Sequence, residues 1–240
     1  MRVESEPGHV LHARPWRETS LLVEALTATH GRVGLVARGV RTAKRAGDRG
    51  LLQPLRPLLF GWSAHGELGT LGRVEAGEGP VVTGTEAVPA ALYVNELVLR
   101  TSARNDPHAD LYAAYVTCLD RLARDADIAW TLRRFERDLF AALGYGLALQ
   151  RTADAGTAIR AEGEYAWDPA SGATEWAAGS PAPRISGRAL IALDTDCRPE
   201  ARELAELRRL SRVVIRHLIG GELASWSTWP AVRPAGNGRD

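Results

Sequence analysis

The sequence predicts an α+β protein in which a five-stranded barrel of the OB type precedes an α-helical domain. Three observations carry this expectation. The first 80 residues hold five short apolar runs bounded by Gly, Pro, Thr or charge, which is the signature of strands. The apolar residues beyond them recur at helical spacing. One long, charged, glycine-containing connection lies among the strands, as small closed Greek-key barrels allow. Val10, Leu11 and Ala13 lead into Trp16 as the first strand; residues 21–26 and 33–37 form the second and third, with a hairpin turn at His30-Gly31-Arg32. Residues 55–62 and 67–74 are the fourth and fifth, separated by Ser63-Ala64-His65-Gly66. An SH3-like barrel has the same number of strands, and counting does not separate the two.

Residues 80–86 read as a linker, so the expected domains are 1–79 and 80–240. A first helix over 87–104 carries Leu92, Tyr93, Leu97 and Leu99. Asn105-Asp106-Pro107 ends it, and a second helix places Leu111, Tyr115, Leu119 and Leu122 on one stripe. A third runs over 126–143 and stops at Gly144-Tyr145-Gly146, completing a bundle. Residues 150–184 interrupt the helices with a hairpin, in which Tyr165-Ala166-Trp167 and Thr174-Glu175-Trp176 flank Asp168-Pro169-Ala170-Ser171-Gly172. Ser186 is positioned to cap a short helix through Leu193. Pro199 opens a last helix to Ile219, with Leu204, Leu207, Val214 and Leu218 on one stripe, and Gly220-Gly221 closes it. The tail over 230–240 is expected to be disordered.

Composition excludes several classes of function. The chain has 240 residues, 45% of them hydrophobic and 25% charged, with a net charge of +1. No apolar run approaches the roughly 18 to 20 residues of a membrane helix, and Met1-Arg2-Val3-Glu4 opens no secretory signal, so a soluble cytoplasmic protein is expected. Cys118 and Cys197 lie far apart without a CxxC, which suggests packing residues rather than a zinc site or disulfide. No phosphate loop, GxSxG elbow, HExxH or GxGxxG fingerprint is present, and His9 and His12 fall on opposite faces of a strand. The expectation is a binding protein with no cofactor and no metal, not an enzyme.

Charge is unevenly placed. Between Arg32 and Arg56 stand Arg32, Arg38, Arg41, Lys44, Arg45, Arg49 and Arg56 against the single acid Asp48, a local charge of +6 that leaves −5 for the remainder. Phosphate contacts depend on such local density of cations. With Arg14, Trp16 and Arg17, the segment combines cations and an aromatic that could follow a nucleic-acid backbone and stack on a base; Trp16 could equally fill the barrel core. A second constellation is Leu132-Arg133-Arg134-Phe135-Glu136 on the third helix. Its adjacent arginines, about 100° apart, could bracket an acidic peptide or pair with Glu136 or Asp138.

HARPWRETSLLVEALTATHGRVGLVARGVR, then LQPLRPLLFGW, GELGTL and VEA, then LYVNELVLR and LRRFERDLFAALGYGL resemble, in order and spacing, the bacterial RecO family of recombination mediators. The likeness is close over residues 9–149 and looser to about 221. It implies an OB-fold followed by a helical domain. It also implies binding to single- and double-stranded DNA, annealing of complementary strands, association with RecR, contact with the acidic C-terminal tail of single-strand-binding protein, and indirect service to RecA loading. The family's barrel cations fall on Arg14, Arg32, Arg38, Arg41, Lys44 and Arg45, beside Arg17 and Arg49, and its tail-binding segment on Arg133 and Arg134. Many relatives carry a four-cysteine zinc module between the helices. Residues 150–184 contain no cysteine, so the resemblance is to the zinc-free branch, with a hairpin expected to be held by Tyr165, Trp167 and Trp176. The competing class is a protein-interaction scaffold whose barrel does not touch nucleic acid.

Overall fold

The computed structural model describes residues 1–64, 66–124 and 126–228; the expected disordered tail lies outside the described residues, as does His65 of the expected turn. Five strands close a barrel: β1 (Arg2–Trp16), β2 (Ser20–Thr27), β3 (Gly31–Ala37), β4 (Pro57–Ala64) and β5 (Leu68–Ala76). Their order is β1-β2-β3-β5-β4, with β4 returning to β1. β3 pairs in parallel with β5 through Gly34↔Leu68, Leu35↔Gly69 and Val36↔Thr70, skipping β4. An SH3-like meander would instead set β3 against β4, so this crossing identifies the Greek-key OB barrel.

β1 is twice the expected length because it serves two neighbours. Its first half pairs with β4 (Val3↔Trp62, Gly8↔Leu58) and its second half with β2 (Val10↔Ala25, Trp16↔Ser20). Register shifts at Val3/Glu6 and Val10/His12 bend it across the change of partner. Gly8 sits at that change, and a Cβ there would stand 2.7 Å from the Leu26 carbonyl oxygen. The barrel is filled by residues such as Val10, Val23, Ala25, Val33, Leu35, Phe60 and Leu71. All eight residues of β2 are buried, because one face lines the barrel while Leu26, on the other, joins the core of the helical domain.

The basic connection between β3 and β4 is partly helical. A 3-10 turn (Ala43–Arg45) leads into α1 (Ala46–Leu51), and Val40 and Leu52 drop into the barrel core on either side. Gly47 and Gly50 hide this short helix from any periodicity.

The bundle consists of α2 (Ala87–Thr101), α3 (Ala109–Ala123) and α4 (Ile128–Ala142). Leu111, Tyr115, Leu119 and Leu122 of α3 are buried as the stripe predicts. Leu92 of α2 is a correction: it is 44% exposed, because the buried stripe is Ala87, Ala90, Ala91, Val94, Leu97 and Val98 and Leu92 falls off it. Asp127 caps α4 by accepting from the Trp130 amide at 3.0 Å, and Gly144 beyond it is left-handed.

The insertion is a three-stranded sheet, β7-β6-β8, rather than a two-stranded hairpin, built from β6 (Glu164–Asp168), β7 (Gly172–Glu175) and β8 (Arg184–Ser186). Tyr165 and Trp167 are buried in the helical core. Trp176 is not among them: it is half-buried beneath the Arg184 guanidinium, 4.8 Å from its ring centre. Ser186 caps α5 (Gly187–Asp194) by accepting from the Ala189 amide. The chain then forms α6 (Ala201–Ile219), ended by left-handed Gly220, and a short α7 (Ser225–Thr228) that the sequence reading does not anticipate. Cys118 is buried; Cys197 is exposed, contrary to its expected packing role.

A polar seam joins barrel and bundle. Asn95 of α2, buried, donates from Nδ2 to the Leu11 carbonyl (3.0 Å) and the Val10 carbonyl (3.4 Å) of β1, and accepts from the Tyr115 hydroxyl (2.7 Å). The Asn105 amide donates to the Arg32 carbonyl (2.8 Å). Gly31, at φ +66°, lies against the Asp106 carbonyl, where a Cβ would come within 2.0 Å. Its left-handed conformation and this close approach both require glycine.

His9 completes the seam, 6% exposed and edge-on to Tyr115 at 5.3 Å between ring centres. Burial lowers its pKa from 6.5 to about 4. The unfolded chain therefore takes up this proton below about 6.5 while the folded protein resists it until about 4. The contribution is intact above pH 6.5 and lost as pH falls, reaching about 3 kcal/mol near pH 4. Urea denaturation at pH 7 and pH 4 should show His9→Leu losing less stability across that interval than the parent protein, by about this amount.

Candidate nucleic-acid interface

On the barrel, an open cleft of about 730 Å³ runs between the β1–β2 turn and the start of the basic connection. Trp16, Arg17, Ser20, Val36, Arg38 and Leu68 are among the residues that line it. Strands 2 and 3 and the adjoining loops are the surface with which OB barrels meet oligonucleotides. Trp16 resolves one alternative: it is half-buried in the cleft wall and outside the barrel core, with the Arg14 guanidinium 5.9 Å from its ring centre.

The expected cations divide by what they touch. Arg41 Nη1 donates to the carbonyls of Arg17 (3.3 Å) and Glu18 (3.0 Å), and its amide donates to the Thr19 carbonyl (2.9 Å), tying the basic connection to the β1–β2 turn. Arg45 grips Asp48 from Nε and Nη2, both at 2.7 Å, and donates from Nη1 to the Arg38 carbonyl. The one acid of the segment is thus neutralised within it. Arg17, Arg38, Lys44 and Arg49 are exposed and make no side-chain hydrogen bond or ion pair among the described residues. Arg32 stands apart from this group. Its guanidinium lies in the seam, donating to the Leu99 carbonyl (3.2 Å) and 3.7 Å from Glu24, which also binds Arg104. Position in β3 decides this, because the side chain at 32 faces the bundle.

The two arginines of α4 have separate fates. Arg133, 7% exposed, donates from Nη2 to Glu136 Oε1 at 2.5 Å. Glu136 is fully buried and also accepts from the Tyr93 hydroxyl at 2.5 Å. Burial first, and the neighbouring carboxylate second, push the Tyr93 hydroxyl well above its usual range. Arg134 points to the opposite side, half-exposed, where it binds Asp196 and lies 6.0 Å from the Trp130 ring centre. Arg137 reaches the same Asp196 and the Leu193 carbonyl. Arg121 faces this group too, its pKa lowered by burial and then by Arg134. Arg121 and Arg137 extend the expected Arg133–Arg134 pair; the spacing of Arg137 three residues after Arg134 is the signal in the sequence.

Among the described residues no three His, Cys, Asp or Glu side chains converge as metal ligands, and no helix is long and apolar enough to cross a membrane.

A closed OB barrel with exposed cations around a cleft, docked on a helical domain, is the architecture of a two-domain OB-fold protein. Comparison with known proteins gives the family. Residues 1–79 match the model of the recombination protein O N-terminal domain, and residues 85–227 that of the C-terminal domain. The chain is 44% identical over 232 residues to the DNA repair protein RecO of Xanthomonas oryzae pv. oryzae strain PXO99A, covering 94% of this chain and 96% of that one. It is 44% identical over 238 residues to the DNA repair protein RecO of Stenotrophomonas maltophilia strain K279a, covering 98% and 99%. The chain belongs to the RecO family, whose role is in DNA repair and recombination.

Glu136 is the only described carboxylate facing the buried Arg133, so Glu136→Ala should strand a cation in the core. An expected loss of about 3 to 5 kcal/mol follows, measurable by chemical denaturation.

Proposed function

We propose that this protein is a DNA repair and recombination mediator that binds single- and double-stranded DNA through its barrel, anneals complementary strands and, with RecR and single-strand-binding protein, helps to load RecA. It would act in the cytoplasm at the nucleoid. Membership of the RecO family supports the general role. The observation that carries the DNA-binding part is the set of exposed, unpaired cations Arg17, Arg38, Lys44 and Arg49 around a cleft with Trp16 in its wall. Arg14 stands beside Trp16, and Arg41 and Arg45 hold the connection that presents the others. Such a surface neutralises phosphates without reading base edges, as a mediator acting on any sequence requires. Arg32 would then support the barrel's position instead of touching DNA.

For the acidic tail of single-strand-binding protein, the reading places the contact on the Arg134 side of α4. There Arg121, Arg134 and Arg137 form a positive surface above the buried Trp130. Arg133 would act beneath it by fixing α4 through Glu136. Holding both the coat protein's tail and the DNA raises the local concentration of strands for annealing.

Anisotropy of labelled single-stranded oligonucleotides across a range of salt tests the barrel reading. Arg38→Glu with Lys44→Glu should weaken binding alike for unrelated sequences and lower the log–log salt slope by about 1.4, at about 0.7 per lost phosphate contact. Absence of binding even at low salt would favour a protein-interaction scaffold. Arg134→Glu should leave binding of naked DNA unchanged while weakening binding of an acidic tail peptide by several-fold; equal peptide affinity in variant and parent would refute that placement.

A further inference from the structure

Among the described residues, the outer face of α6 carries a strongly basic surface apart from the barrel cations. Arg202, Arg208, Arg209, Arg212 and Arg216 lie along it, and Arg208, Arg212 and Arg216 recur every four residues, about 6 Å apart along the axis. The opposite face, with Leu207, Leu210, Val214 and Ile215, is buried. Three acids near this surface are engaged, while Glu203, in the first turn of α6, has a buried carboxylate oxygen without a hydrogen-bond partner among the described residues. Glu206 accepts from Ser186 and Arg202, Glu222 holds Arg216 at 2.6 Å, and Glu136 is bound by Arg133 and Tyr93. Arg208, Arg209 and Arg212 make no side-chain hydrogen bond or ion pair among the described residues.

An aromatic ring lies within the stripe. Trp226 of α7, half-buried, has the Arg212 guanidinium 5.3 Å and the Arg216 guanidinium 5.4 Å from its ring centre. α7 is held in place by Glu96, which accepts from the Ala224 amide (2.6 Å) and the Ser225 amide (2.9 Å). Burial first, and the like charges of Arg212 and Arg133 second, lower the pKa of Arg208; a bound polyanion would offset the like-charge part. This surface belongs to elements that pack on α2, α4, α5 and β8, whereas the barrel meets the bundle through β1 and α2.

We propose that the Arg208–Arg209–Arg212–Arg216 face of α6, with Trp226 set between its guanidinium groups, is a second contact for a nucleic-acid strand, separate from the barrel cleft. The inference rests on the reading that the protein binds DNA, and it supplies what annealing needs, a place for each of two strands. The chemistry favours a strand. Guanidinium forks match phosphate oxygens, a helix presenting one arginine per turn can follow a row of phosphates, and an aromatic among cations is the composition of single-strand platforms. None of these features discriminates among bases, so the contact is independent of sequence.

The test uses the full chain, complementary labelled oligonucleotides and a polyglutamate peptide. Native mass spectrometry at low salt should count two strands per protein in the parent, and one in Arg209→Glu/Arg212→Glu. The salt slope of that variant's binding should fall by about 1.4 across the two sites together, and annealing should drop towards the rate of the strands alone. Arg209→Gln/Arg212→Gln should show the same loss of the second strand, and thermal melting should confirm that both variants fold. If the double reversal does not fold, Arg209→Glu alone carries the test, with a slope change of about 0.7. Unchanged strand count, slope and annealing would overturn the proposal, as would a loss confined to the polyglutamate peptide, which would mark an acidic protein partner. The barrel variant Arg38→Glu/Lys44→Glu separates the two readings. If it alone removes a strand, the α6 contact falls and the barrel stands; if only the α6 variants remove one, the barrel reading falls and the α6 contact stands.

Discussion

Asn95 is the constraint on which the arrangement of the two domains depends. It is a buried polar side chain in the middle of a helix, and its amide is satisfied by β1 of the barrel on one side and Tyr115 of α3 on the other. A buried amide left without partners costs about 1 to 3 kcal/mol, so barrel, α2 and α3 are held in one register or the penalty is incurred. The Glu24–Arg104–Arg32 group and the Asn105–Arg32 backbone bond repeat the constraint further along the seam. Apolar contact alone is non-directional and would tolerate sliding; these hydrogen bonds do not.

A fixed seam has consequences for charge. With 29 acidic and 30 basic residues, the chain has enough carboxylates to pair nearly every cation, and most pairs are made within the helical domain. Among the described residues, unpaired cations gather on the basic connection of the barrel, at Arg38, Lys44 and Arg49, and on the outer face of α6, at Arg208, Arg209 and Arg212. On the first, the only acid is already bound to Arg45. On the second, three acids are engaged by Ser186, Arg202, Arg216, Tyr93 and Arg133. Near-neutral net charge and strongly positive local surfaces therefore coexist in one small protein, which keeps attraction for polyanions local.

Arginine takes three distinct parts in the fold. In Arg133 it is a buried partner of Glu136, fixing α4 against α2 through Tyr93. In Arg41 and Arg45 it bridges backbone carbonyls and so shapes the connection from which other cations project. In Arg38, Lys44, Arg49 and Arg209 the cationic group faces solvent. The side chain's several donors and always-charged head permit all three parts, and its neighbours choose among them.

The sequence by itself determined what depends on local pattern. Short apolar runs bounded by Gly, Pro, Thr or charge gave five strands, helical spacing gave the buried stripe of α3, Ser186 marked a cap, Gly220 marked an end, and order and spacing of several segments pointed to the RecO family. The cluster of cations after Gly31 was legible for the same reason, since its members are adjacent in the chain. The tertiary structure alone decided what depends on partners far away in sequence. Pairing of β3 with β5 separated the OB barrel from its competitor, and the β4 contact doubled the length of β1. Neighbours turned Arg32 into the seam, buried Arg133, left Leu92 and Trp176 outside the core, and joined α6 to Trp226 across a turn. Whether a given arginine meets solvent or a carboxylate is settled by packing between elements, and no residue's own spacing contains that information.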